Sequence, residues 1–148
     1  MQRRRVLSLV IFIILAAPLV IFTGHCCADN DTFEQLRLEL KKEGVSDDFI
    51  KTAESSVKRM ISSSASVPEL KLVLMDLWKE GRTGRALKNA VASVAELVAS
   101  GDNTLEAAKV ASGAAHKAEA EGLSGFSVAM KVKKAVKDRQ EYLKTLKK

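Results

Sequence analysis

The chain has 148 residues, 24 lysines and arginines against 18 aspartates and glutamates, and two cysteines. Nearly half of it is apolar, which excludes a charge-dominated disordered chain and leaves room for one modest core. The formal charge of +6 overstates the basicity, because three of the arginines stand within the first five residues.

Those arginines, Arg3, Arg4 and Arg5, precede an apolar run from Val6 to Phe22, and Cys26 and Ala28 follow in small-residue positions. That order is the layout of a cleavable secretory signal peptide, with the cut ahead of Asp29. The expected organisation is therefore a signal peptide over 1–28 and one all-helical domain over 29–148. Loss of 1–28 lowers the formal charge to +3 and removes both cysteines, so the exported part holds together by packing alone. A cysteine-free exported domain points to a bacterial periplasmic or secreted protein. Three other readings of this segment stay open. Cys26 or Cys27 could carry a lipid and tether the protein to a membrane, Arg3 to Leu7 loosely resembles a twin-arginine signal, and the apolar run could remain as an uncleaved anchor.

After Asp29 the pattern is that of short amphipathic helices. Phe33, Leu36 and Leu40 form a first stripe, which Thr32 and Gln35 would open as a capping box and Gly44 would close. Ser46 is placed to cap a second helix, with Phe49, Ile50, Ala53, Val57, Met60 and Ile61 on one face. Ser66, Pro68 and Glu69 mark the start of a third, striped by Leu70, Val73, Leu74, Leu77 and Trp78 and ended by Gly81. Thr83 begins a fourth, with Leu87, Ala90, Val91, Val94, Leu97 and Val98 on one side until Gly101.

Asn103 and Glu106 open a fifth helix, whose Ala107, Ala108, Ala111, Gly113, Ala114, Ala115 and Ala118 have almost no bulk. Such a helix admits close neighbours and is expected at the centre of the fold. Ser124 would cap the sixth, with Val128, Val132, Val136, Leu143 and Leu146 as its stripe. The fold class is thus all-α, a compact bundle or short solenoid-like array of about six helices. Gly44, Ser64, Gly81, Gly101 and Gly122 recur every 17 to 21 residues, each followed by a capping Ser, Thr or Asn, so a diverged one-helix repeat is possible.

The inventory for chemistry is thin, with one histidine and no cysteine after Asp29. His116 and Glu119 share a helix face at i,i+3, but a metal site needs more ligands than this helix supplies. Asp47 and Asp48 are explained by the dipole of a first helical turn. No phosphate loop, zinc spacing or nucleophile elbow is present. The chain is therefore read as a non-enzymatic binding or structural module without cofactor or metal.

Two surfaces are candidates for binding. Trp78 with Arg82 and Arg85 could contact a protein partner, although a tryptophan four residues after Leu74 also reads as a core anchor. The last helix is strongly basic, and Lys131, Lys133, Lys134, Lys137, Arg139 and Lys144 could contact an anionic membrane or polysaccharide surface. The same cations also suit a solvated face. Export and the lack of interleaved aromatics weigh against nucleic acid, and a membrane association follows only if the N-terminus is retained or lipidated.

Overall fold

The computed structural model describes residues 24–147. Among them the chain forms six helices: α1 (Gly24–Lys42), α2 (Asp47–Ser62), α3 (Val67–Lys79), α4 (Gly84–Ala99), α5 (Thr104–Ala120) and α6 (Phe126–Leu146). Most of the expected signal segment, 1–23, lies outside the described residues. Residues 24–28 belong to the backbone of α1.

One kind of link joins all six. Gly44, Ser64, Gly81, Gly101 and Gly122 have φ of 83, 68, 69, 94 and 79°, the left-handed region that ends a helix. Each donates its N–H to the carbonyl three residues back, and the next residue donates to the carbonyl five back, as in Val45 to Leu40 and Leu123 to Ala118. These paired bonds satisfy carbonyls that a helix end leaves open. Four of the links then end on the expected cap. Ser46 Oγ accepts from the Phe49 N–H, and Asn103 Oδ1 accepts from the N–H groups of Leu105 and Glu106. Ser66 and Thr83 have cap backbone geometry without a side-chain cap bond.

Two expected helix starts are corrected. Thr32 does not open α1, because the helix already runs from Gly24 and position 32 is interior. Gly125 replaces Ser124 as the cap of α6, since its φ of 53° turns the chain one residue later.

Each principal helix contact is with the next helix or the next but one: α1 with α2 and α3, α2 with α3 and α4, α3 with α5, α4 with α5 and α6, and α5 with α6. That is the contact pattern of a short linear array. The predicted stripes of α1 to α4 form most of the core, with Leu36, Met60, Leu70, Leu87, Val91 and Leu97 wholly enclosed, and Ala107, Ala111 and Ala115 of α5 and Val132 and Val136 of α6 join it. Leu146 is exposed and falls outside it. The alanine-rich α5 does not hold the centre alone. It packs on α3, α4 and α6, but α4 touches α2, α5 and α6 and buries larger side chains.

An apolar groove between α4 and α6 as candidate functional site

The end of α4 is clasped to the second half of α6. Arg139 donates to both carboxylate oxygens of Asp102 at 2.8 Å, Gln140 Nε2 donates to Ser100 Oγ at 3.0 Å, and Lys147 Nζ donates to the Ser100 carbonyl at 3.1 Å. Ahead of this clasp the two helices border a groove of about 610 Å³. Arg85, Ala86, Asn89, Ala90 and Ser93 line it from α4, and Phe126, Val128, Ala129, Val132 and Lys133 from α6. Ala111, Ser112 and Ala115 of α5 lie between them. The groove exists because these positions are small: the alanines that let helices approach also leave space where no side chain reaches across. Its volume falls in the range of ligand-sized clefts.

One end of the groove is set by an ionic cluster. Arg82, in the α3–α4 link, donates to Glu119 Oε1 at 2.7 Å, to Glu119 Oε2 at 3.2 Å and to Glu80 Oε2 at 3.1 Å. His116 Nε2 stands 3.4 Å from Glu80 Oε1. Burial works against the Arg82 charge, but the hydrogen bonds to Glu119 and then Glu80 outweigh it and raise its pKa above the ordinary value. His116 and Glu119 therefore turn to different partners. Among the described residues no group of three or more His, Cys, Asp or Glu is placed to hold a metal.

The candidates read from sequence are divided by the structure. Arg82 and Arg85 line the groove, whereas Trp78 does not. Trp78 is half-buried against the core and meets Phe49 edge-to-face, with ring centres 5.3 Å apart and planes at 80°. On α6, Arg139 is held by Asp102, and Lys131 lies 3.3 Å from Glu121. Lys133, Lys134, Lys137 and Lys144 are exposed and form no ion pair among the described residues. Lys133 borders the groove.

The groove itself was missed by sequence reasoning, and so was the exposed apolar lip beside it. Phe126 is 80% exposed and Met130 50%. The available signal was their i,i+4 spacing away from the Val132–Val136 stripe, on a different face of the same helix.

Compared with known proteins, the chain matches no family model, no curated protein and no solved structure.

Proposed function

We propose that this is an exported, non-catalytic helical binding module, and that it receives an apolar segment of a protein partner in the groove between α4 and α6. The observation that carries the reading is the exposed Phe126 side chain in the α6 wall of that groove, with exposed Met130 one turn further along the same helix. Large apolar groups left in water beside an open cleft mark a surface suited to burial by another molecule. Export is supported by Arg3 to Arg5 ahead of the Val6–Phe22 run.

A photoreactive amino acid at Asn89, inside the groove, tests the reading against one at the exposed Lys51 of α2. Cross-links to a partner from position 89 alone are expected. Equal labelling from both positions would overturn the groove as the binding face.

Lys133, Lys134, Lys137 and Lys144, exposed and without an ion pair among the described residues, favour a second reading, contact with an anionic membrane or polysaccharide surface through α6. That reading requires salt-sensitive binding to phosphatidylglycerol vesicles and none to phosphatidylcholine vesicles.

A further inference from the structure

We infer that the segment received by the groove is an acidic amphipathic helix, laid with its carboxylates toward α6. The inference rests on the groove reading and adds the chemistry of the occupant. The lining positions of α4 run from Arg85 to Glu96, a length of about 16 Å at 1.5 Å per residue, or three turns of a docked helix. The small side chains of Ala86, Ala90 and Ala129 allow a helix backbone to come close, and an apolar helix face in such a trough is a recurrent recognition mode.

Charge then sets the orientation. Phe126, Met130, Lys133 and Lys137 are spaced i, i+4, i+7 and i+11 and so share one face of α6. The first two offer exposed apolar area, and the last two are cations without an ion pair among the described residues. Glu80 and Glu119 are already matched by Arg82, and on the α4 side the charges of Arg85 and Glu96 offset each other. With α4 thus balanced, a docked acidic flank is attracted to Lys133 and Lys137 of α6.

The test uses the full chain and two synthetic helices of about 14 residues with the same Leu/Ala face, one with glutamate and one with lysine on the polar face. The glutamate peptide should bind about tenfold more tightly than the lysine peptide. The preference should shrink as salt rises from roughly 50 to 500 mM. It should be lost in the Lys133→Glu/Lys137→Glu variant, while Ala129→Trp, which fills the groove, should remove binding of both. Equal or tighter binding of the lysine peptide overturns the inference and leaves the groove reading standing. Binding of laurate but of neither peptide also overturns it, by replacing the helix with a small amphiphile. Undiminished binding of the glutamate peptide to Ala129→Trp would put the contact elsewhere and overturn it as well. Because the groove reading is judged by cross-linking at Asn89, the two failures are distinguishable.

Discussion

Arg139 grips Asp102 across 37 positions of sequence with two hydrogen bonds of 2.8 Å, and it thereby fixes α6 to the end of α4. The aspartate side chain is 3% exposed and the arginine 26%, so the pair is shielded on one side and wet on the other. The Arg139 hydrogen bond lowers the Asp102 pKa below its ordinary 3.8 and prevails over burial, which acts in the opposite sense. A paired carboxylate of this kind stabilises the fold above its unfolded-state pKa, and the contribution is lost as pH falls through the lower folded-state value. Arg139→Ala should destabilise the fold near neutral pH, by less than for a fully enclosed pair because water still reaches the arginine. Urea unfolding should show that difference narrowing below about pH 4.

The link residues give a second test. Ser64 occupies the left-handed position that glycine holds in the other four links, and it is the non-glycine residue with positive φ among those described. A Cβ in that conformation costs about 1–2 kcal/mol, partly offset by the greater unfolded-state freedom of glycine. Ser64→Gly should therefore stabilise the protein by roughly 0.5–1 kcal/mol. Gly101→Ala should destabilise it, because φ is 94° and the new Cβ would lie 2.9 Å from Lys147 Nζ. The lysine end can move aside, so the backbone term should dominate. Thermal midpoints of the two variants should shift in opposite directions.

Core burial supplies a third. Leu74 is 1% exposed, and Leu74→Ala should cost about 2–5 kcal/mol by loss of transfer energy and formation of a cavity. Trp78 is only half-buried but has the edge-to-face contact with Phe49, so Trp78→Ala should cost about 2–4 kcal/mol. If denaturant unfolding found Trp78→Ala silent while partner binding fell, the tryptophan would have to be a contact residue instead of a packing one.

These outcomes bear on how much was legible in the chain itself. Helix faces were readable because burial imposes a 3.6-residue period, and Phe49, Val57, Leu70, Val91 and Leu97 all lie where that period puts them. The links were readable because φ above zero selects glycine, so Gly44, Gly81, Gly101 and Gly122 announce the helix ends. Thr32 misled because a capping pattern describes local preference, and a continuing helix upstream removes the open N–H groups that a cap would satisfy. The groove and its ionic end were hidden for a different reason. Arg82 meets Glu119, and Arg139 meets Asp102, across separations of 37 residues, two helices apart in the array. Periodicity within one helix carries no information about which distant face it will meet.

The alanine-rich helix provides the final test, because its small residues fall into two environments that predict different responses. Ala107 and Ala118 are 0% and 1% exposed and do not border the groove, so a larger side chain at either has no free volume to enter. Ala107→Leu and Ala118→Leu should overpack the helix contacts and cost about 1–3 kcal/mol. Ala115 is also buried, at 8% exposed, but it faces the groove of about 610 Å³, where a leucine can extend without displacing a neighbour. Ala115→Leu should change stability by less than about 1 kcal/mol while occupying volume that a docked segment needs. Denaturant unfolding and cross-linking from position 89 separate the two effects. The expected result is a stable Ala115→Leu variant with weakened cross-linking, beside destabilised Ala107→Leu and Ala118→Leu variants whose remaining folded fraction still cross-links. A severe loss of stability at Ala115 would show that this part of α5 is sealed against α4 and α6, and that the groove does not extend to it.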